Sequence, residues 1–265
     1  MNSIHSTVIV LSLLALSPLP ATAVQNKAQD IQVSASESVE LLDQGQQKAK
    51  QGDLRGAIAA YTQAIQANPQ FTEAYIKRGI AHHDLENFDQ AVLDFSQALR
   101  LDPKNAIALY NRGESHSDLG NIPRAIADLD QAIQISPSYA EAYNNRAILY
   151  GVVQGNLKMA LADLNQAIQF KPDYADAYYN RGKTRTALQD VKGAIADYTK
   201  AIELNPELAE AYGNRGFLRA RTGNKQAGLA DLQQAAQIFT NQNDPRGYQQ
   251  TQIFIQQVQS SEGQP

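Results

Sequence analysis

Apolar residues recur three and four positions apart along most of the chain, in paired segments that a short polar turn separates. This spacing places the apolar side chains on one face of a helix, so each paired segment predicts two amphipathic helices. Between residues 106 and 139, a first stripe contains Leu109, Gly113, His116 and Leu119, and a second contains Ile122, Ala125, Ile126, Leu129, Ala132 and Ile133. The pattern predicts helical hairpins and no β-sheet.

The hairpins repeat with a period of about 34 residues, marked by Pro69, Pro103, Pro137, Pro172 and Pro206. Each proline closes a similar phrase, such as DLDQAIQISP or DLNQAIQFKP, which follows a second phrase such as AYNNRA or AYYNRG. A proline cannot continue a helix, so it ends the second helix of each hairpin. A fixed period in this range is typical of a stacked repeat protein.

Several positions within the period carry a family resemblance. We number the positions within each repeat from its first residue and call them places. A large residue stands at place 4 (Tyr75, Leu109, Tyr143, Tyr178, Tyr212), with Gly or Ala at place 8, Ala at places 20 and 27, and an aromatic residue or Leu at place 24. The 34-residue unit resembles the tetratricopeptide repeat, in particular the NRG-type repeats common in cyanobacterial proteins. The resemblance implies an all-α, right-handed α-solenoid of six helix hairpins plus a C-terminal capping helix. The six repeats are 38–71, 72–105, 106–139, 140–174, 175–208 and 209–242.

Two repeats depart from the common pattern. Repeat four has one extra residue near Tyr150–Gln154, at the end of its first helix. Repeat six has Gly228 where Ala is usual and Thr240 where Pro is usual, which predicts a loosened final repeat. Beyond it, residues 243–259 predict the capping helix, since Tyr248, Thr251, Ile255 and Val258 share one helical face. A free partner-binding or membrane helix is the alternative, and residues 260–265 are expected to be a disordered tail.

The N-terminus has the features of an export signal. Residues 1–23 contain no Asp, Glu, Lys or Arg, and Thr7–Leu16 forms an apolar run too short to span a bilayer. Ala21 and Ala23 supply a small–x–small cleavage pattern, so we expect a signal peptide cut after Ala23. Because the n-region lacks Lys and Arg, an uncleaved membrane anchor is the alternative. Residues 24–37 are polar and predict a flexible leader.

Composition and charge narrow the function classes. The chain carries 23 basic and 27 acidic residues, for a net charge of −4, so it has no surplus positive charge for nucleic acid. It contains no Cys, which excludes disulfides, thiolate zinc sites and a cysteine nucleophile. Hydrophobic residues make up 43% of the sequence, enough to bury a core.

Two weak chemical signals are present. Gly182-Lys183-Thr184 is similar to the end of a phosphate loop, but Ala177 stands where the required first glycine would be, and the segment lies in a predicted helix. His82, His83 and His116 are the histidines outside the signal, and His82 and His116 share place 11 of neighbouring repeats. They form a candidate metal or catalytic cluster, and the alternative is that they pack between helices. We expect no catalytic residues, no cofactor and no metal.

Repeats two to six have Arg at place 7 and Asp at place 23, whereas repeat one has Gln44 and Ala60 there. In an antiparallel helix pair these places should face each other, which predicts five partly buried ion pairs that are costly to break singly. The predicted pairs are Arg78–Asp94, Arg112–Asp128, Arg146–Asp163, Arg181–Asp197 and Arg215–Asp231.

The family resemblance implies a partner-binding groove on the concave face, lined by the first helix of each repeat. Its residues would be Glu73, Ile76, Lys77, Ile80, Tyr110, Asn111, Glu114, Glu141, Asn144, Asn145, Ile148, Asp176, Tyr179, Asn180, Lys183, Asn214 and Phe217. Place 6 forms a ladder of Asn111, Asn145, Asn180 and Asn214, whose amides suit either a peptide backbone or bonds between neighbouring helices. Both roles of the ladder stay open at this point.

The function implied is a non-catalytic protein- or peptide-binding scaffold exported to the periplasm, thylakoid lumen or extracellular space. We expect a protein or peptide ligand, no nucleic acid, and no stable membrane insertion once the signal is removed. An assembly or processing factor for an envelope or thylakoid complex is the alternative. A metal protein or enzyme that uses the His82/His83/His116 cluster is a further alternative.

Overall fold

The computed structural model describes the chain from residue 21 to residue 260, with side chains from residue 36 onward. Secondary structure within these residues is entirely helical, which confirms the predicted all-α class of helix hairpins. The chain divides into two compact units, Met1–Ala74 and Tyr75–Pro265, which we call the N-terminal part and the C-terminal part. Most of the predicted signal peptide and the predicted tail from residue 261 lie outside the described residues. No helix of the described stretch is long and apolar enough to cross a bilayer.

From residue 21 onward, the N-terminal part contains one hairpin, made of helices α1 (Ala21–Lys50) and α2 (Leu54–Ala67). The Tyr61 ring packs directly over Gly45, where a Cβ atom would overlap it. Helix α1 also covers residues 24–37, which the polar composition had suggested to be a flexible leader. The physical reason is that no Pro or Gly interrupts the sequence between Pro20 and Gly45.

Up to residue 260, the C-terminal part contains five helix pairs and a final helix, and α3 begins just before its boundary. The helices are α3 (Thr72–Asp84), α4 (Phe88–Leu101), α5 (Ala106–Asp118), α6 (Ile122–Ile135), α7 (Ala140–Ile148), α8 (Leu157–Phe170), α9 (Ala175–Ala187), α10 (Val191–Leu204), α11 (Ala209–Arg221), α12 (Lys225–Asn241) and α13 (Pro245–Ser260).

Within the C-terminal part, α4, α6, α8 and α10 each pack against the first helix of their own repeat and the first helix of the next. The core residue at place 24 is almost completely buried in every pair, as Phe95, Leu129, Leu164, Tyr198 and Leu232. Glycine at place 8 leaves room for these side chains, because a Cβ on Gly182 would lie 2.7 Å from the Tyr198 ring. Small residues at place 8 and large residues at place 24 therefore set the distance between the paired helices.

The turn between the paired helices needs a left-handed residue at place 15. Gly120, Gly155 and Gly223 provide it, with φ of 75°, 65° and 93°. In repeats two and five the same place holds Glu86 and Gln189, at φ of 60° and 62°. Those two side chains impose backbone strain that glycine avoids.

The extra residue of repeat four is accommodated in a π-helical segment, Leu149–Val153, at the end of α7. We call this segment the π-turn. The π-turn extends α7 and accommodates one extra residue in a wider helical turn. Segments of this kind are frequent at functional sites. Val152 and Val153 of the π-turn are 70% and 52% exposed.

Repeat six is not loosened, so that expectation is wrong. Gly216 and Gly228 bring the backbones of α11 and α12 together, since a Cβ on Gly228 would lie 2.7 Å from the Gly216 carbonyl oxygen. Because Thr240 replaces the usual proline, α12 continues to Asn241. The final helix α13 then packs Ile255 and Val258 onto this repeat.

Candidate functional site

Paired arginine and aspartate side chains join the two helices of every repeat in the C-terminal part. In each pair, Nε and Nη2 of the place-7 arginine donate to the two carboxylate oxygens of the place-23 aspartate, at 2.6–2.9 Å. The aspartate side chains are nearly buried, so these two-point contacts replace the water that the carboxylates lose. We call this row of contacts the seam. Its pairs are Arg78–Asp94, Arg112–Asp128, Arg146–Asp163, Arg181–Asp197 and Arg215–Asp231.

Four of these arginines also connect successive repeats, which the sequence analysis did not foresee. The remaining nitrogen, Nη1, donates to the place-25 side chain of the preceding repeat. The acceptors are Ser96 for Arg112, Asp130 for Arg146, Asn165 for Arg181 and Thr199 for Arg215, at 3.2, 2.6, 2.9 and 3.2 Å. A short polar residue at place 25 in each of these repeats is the sequence signal for this contact.

In repeats two to six, the residue at place 11 lies beside the seam, and its type varies along the chain. Arg185 and Arg219 donate from Nη1 to Asp197 and Asp231, at 2.7 and 2.8 Å. His116 holds the same place in repeat three, with Nε2 4.0 Å from Asp128 and Nδ1 buried without a hydrogen-bond partner among the described residues. Burial lowers the pKa of His116, and it does the same at the equivalent His82.

The histidines do not converge on a metal-binding geometry. His83 bonds Asp118 through Nε2 at 2.9 Å and stacks edge-on against Phe88, away from the seam that His82 and His116 face. Within residues 21–260 no group of three or more His, Asp or Glu side chains has the arrangement of a metal site. Gly182-Lys183-Thr184 lies inside α9, so its backbone N–H groups are part of a helix.

The first helices α3, α5, α7, α9 and α11 form the surface that the family resemblance assigns to the groove, here called the groove face. A hydrogen-bonded network connects three of these helices. Asn180 donates to Asn144 at 3.0 Å, Asn144 donates to Asn145 at 3.2 Å, and Asn145 donates to both Tyr110 and Glu114 at 3.0 and 2.9 Å. The network favours the interpretation that Asn145 and Asn180 hold neighbouring helices together.

The other two ladder residues behave differently. Asn111 is bonded to the Ile107 carbonyl oxygen of its own helix, at 2.7 Å. Asn214 faces the hydroxyl groups of Tyr179 and Tyr198. The four asparagines therefore share a place in the repeat but not a bonding pattern.

Glu114 is the central acid of the groove face. Its carboxylate accepts hydrogen bonds from the Tyr110 hydroxyl at 2.8 Å and from the Asn145 amide, and both donors are neutral. Burial raises the pKa of Glu114, against the lowering effect of these two hydrogen bonds. Burial together with the Glu114 charge also raises the pKa of Tyr110.

Two clefts lie side by side on the groove face, with Ile148 of α7 lining both. The polar cleft, of about 180 Å³, lies between α5 and α7 and is lined by Glu114, Ser117, Asp118, Asn145, Ile148 and Leu149. The apolar cleft, of about 170 Å³, lies between α7, the π-turn and α9. Its lining includes Ala147, Ile148, Val152, Leu157, Lys183 and Ala187. Five of the predicted groove residues thus line these clefts, namely Glu114, Asn145, Ile148, Asn180 and Lys183.

Four predicted groove residues already have partners within the protein. Ile76 is 8% exposed because it packs into the core with Phe95, and Asn144 is 3% exposed within the network. Glu141 is bonded to Lys171 at 2.7 Å. Phe217 stacks on Phe254 of the capping helix, with 4.8 Å between ring centroids. All four side chains therefore make contacts within the protein, and Ile76 and Asn144 are nearly buried as well.

The remaining predicted residues are exposed or half-buried. Asp176 and Lys183 of α9 are exposed, while Lys77, Ile80 and Tyr179 are half-buried. In the N-terminal part, Glu73 is exposed and accepts a hydrogen bond from Gln46 at 3.5 Å.

Two tyrosines near the groove face were missed. Tyr139 and Tyr174 occupy the last place of repeats three and four, immediately before α7 and α9. Tyr139 packs on Tyr110 with 4.9 Å between ring centroids, and burial raises the pKa of Tyr139 to about 12. The signal that would have found them is a large residue at the last place, which also holds Phe71 and Leu208.

Comparisons with known proteins agree on the architecture. Tetratricopeptide repeat models match residues 42–106, 76–140 and 175–208, and a TPR repeat model matches residues 152–189. No curated protein sequence matches the chain.

Solved structures similar to this one include those of three proteins named MamA, YrrB and PilW. MamA is 26% identical with a TM-score of 0.55, covering 66% of this chain and 94% of its own. YrrB, described as a TPR protein with an unusual peptide-binding site, is 21% identical with a TM-score of 0.55. The match covers 73% of this chain and 98% of YrrB. PilW, a type IV pilus biogenesis factor, is 22% identical with a TM-score of 0.69. The match covers 80% of this chain and 97% of PilW. At these identities, YrrB and PilW show a common fold and nothing further.

Proposed function

The chain belongs to the tetratricopeptide repeat family, and from that membership we propose that it is a non-catalytic scaffold that binds a segment of another protein on its groove face. Stacked helical repeats generally present an extended surface for partners, and the family is one of protein-interaction scaffolds. The observation that carries the proposal is the pair of adjacent clefts on α5, α7 and α9, which meet at the exposed side chain of Ile148.

The size of the clefts favours protein side chains over a small molecule. Small-molecule sites usually enclose about 300–1,000 Å³. The two clefts hold about 180 and 170 Å³, which is room for one side chain each. Neighbouring pockets that each take one side chain are the usual arrangement for recognition of an extended or helical peptide.

The test compares two double variants of the full chain in cross-linked affinity purification from the native cell. Ile148→Ser with Lys183→Ser alters exposed groove-face positions, and Leu93→Ser with Met159→Ser alters exposed positions on second helices. We expect the first variant to lose captured partners and the second to retain them. If the second loses them and the first does not, binding occurs on the opposite surface.

Export is part of the same proposal. The uncharged segment 1–23, with its apolar run and Ala21–Ala23 cleavage pattern, supports transport out of the cytoplasm. The NRG type of repeat is supported by Asn-Arg-Gly at 111–113, 180–182 and 214–216. N-terminal sequencing of the native protein should begin at Val24, and a sequence that begins at Met1 would contradict cleavage.

A further inference from the structure

The two clefts of the groove face differ in chemistry although they are neighbours. Carboxylates and an amide line the polar cleft, through Glu114, Asp118 and Asn145. Aliphatic side chains line most of the apolar cleft, including Ile148 and Val152. A partner that fills both must therefore present two unlike side chains.

Within the described residues, neutral donors and one histidine contact the two carboxylates of the polar cleft. Glu114 is held by neutral donors, the Tyr110 hydroxyl and the Asn145 amide. Asp118 bonds His83, and within the described residues no Lys or Arg side chain forms an ion pair with either carboxylate. Burial raises the pKa of Glu114, although the two hydrogen bonds and the nearby His83 act in the opposite direction, so its charged form is incompletely compensated. A cationic side chain from a partner would supply the missing charge.

The apolar cleft depends on the extra residue of repeat four. The π-turn carries Val152 to the edge of the cleft, where its side chain is 70% exposed. Ile148 separates this cleft from the polar one, so both pockets border one side chain. Burial of an aliphatic partner side chain here would remove Ile148 and Val152 from water.

Resting on the proposed function, we propose that the partner segment carries a Lys or Arg side chain that enters the polar cleft and, within a few residues, an aliphatic side chain that enters the apolar cleft. Charge complementarity with Glu114 and Asp118 selects the basic residue. The apolar cleft, which the π-turn of repeat four borders, selects the aliphatic residue.

The experiment probes the full chain with an immobilised positional-scanning library of octapeptides. Wild type should enrich Lys or Arg at one position and Leu, Ile, Val or Met at another. Glu114→Gln keeps an acceptor for Tyr110 and Asn145 but removes the charge, and it should reduce the basic enrichment about tenfold, the loss expected for one charge-assisted contact. Val152→Ser should reduce only the aliphatic enrichment.

Two further variants keep the test decisive. Asp118→Lys, at an exposed position, should change the preference from basic toward acidic residues, which no loss of folding would produce. Leu93→Ser, on the exposed surface of α4, should leave both preferences intact. Basic enrichment that survives both Glu114→Gln and Asp118→Lys would overturn the inference.

The outcomes also separate this inference from the proposed function. Peptides that bind with other preferences, and lose binding in the Ile148→Ser with Lys183→Ser variant, would overturn the inference alone. Absence of any binding that depends on the groove face would overturn both.

Discussion

The seam and the groove face are both built from polar residues that recur in successive repeats, yet only the seam repeats its geometry. All five seam arginines contact their aspartates through the same two nitrogens at 2.6–2.9 Å. On the groove face, Asn111 bonds its own helix whereas Asn145 bonds the preceding repeat. A repeated residue gives a repeated contact only where its partner repeats as well.

Contacts beside the seam also vary between repeats, because the residue type at place 11 varies. Arg185 and Arg219 add a second cation to the seam aspartates, while His82 and His116 leave a buried nitrogen without a partner in the described structure. The seam is therefore most strongly charged in repeats five and six and sensitive to protonation in repeats two and three.

The largest effect should come from breaking a seam pair. Arg146→Ala leaves the nearly buried Asp163 carboxylate without its two donors, and we expect a loss of about 3–5 kcal/mol in the free energy of unfolding. Adding Asp163→Ala should cost much less than the sum of the single changes. Urea denaturation of the wild type, the two single variants and the double variant measures the coupling energy of the pair. Arg100→Ala, at an exposed position of α4, is the control. Additive losses would show that the pair is not coupled.

A smaller effect is expected from the groove-face network, and it should differ between ladder positions. Asn145→Ala removes one of the two donors to Glu114 and the acceptor of the Asn144 amide group, at a cost of about 1–3 kcal/mol. Asn111→Ala removes only an exposed bond within its own helix, and the change should stay within about 0.5 kcal/mol. Equal losses in urea denaturation would contradict the distinction.

The histidines of the seam should make stability depend on pH. Burial lowers the pKa of His82 and His116 below 6.5, so the unfolded chain binds protons that the folded chain resists. Their contribution is fully present above 6.5 and is lost as the pH falls through 6.5 toward the lowered values.

The control for this prediction is the double variant His82→Tyr with His116→Tyr, which places the residue of repeat four at both positions. Between about pH 7 and pH 5, wild type should lose more unfolding free energy than this variant. Parallel pH profiles from denaturant titrations would show that the histidines do not contribute.

The smallest effect concerns the turn at place 15. Gln189→Gly should relieve the left-handed strain and raise the unfolding free energy by up to about 1 kcal/mol, after the entropic cost of glycine. Gly120→Gln, the reverse change at the equivalent place, should lower it by a similar amount. Thermal denaturation compares both, and a decrease for Gln189→Gly would show that the Gln189 side chain stabilises the turn.

The fold was predictable because the period, the closing prolines and the apolar stripes are local signals that agree with one another. The seam partners were also foreseeable, since Arg at place 7 and Asp at place 23 occur together in five repeats and are both absent from the first. Residues 24–37 are polar, which favours a flexible leader, but they contain no Gly or Pro, and helix α1 includes them.

The groove face was less predictable because its contacts depend on residues that do not repeat. Tyr110 and Glu114 determine what Asn145 bonds, and neither residue type recurs at its place in repeat four. The sequence located the insertion near Tyr150, but whether it formed a loop or a π-turn depended on packing against α8. The apolar cleft follows from that packing.

The most direct test of binding on the groove face is photo-cross-linking in the native cell. A benzoylphenylalanine replaces Lys183, at the apolar cleft, or Met159, at an exposed position on the second helix α8 of repeat four. Binding on the groove face predicts a cross-linked partner at position 183 and none at position 159. A partner captured at position 159 and not at position 183 would contradict it.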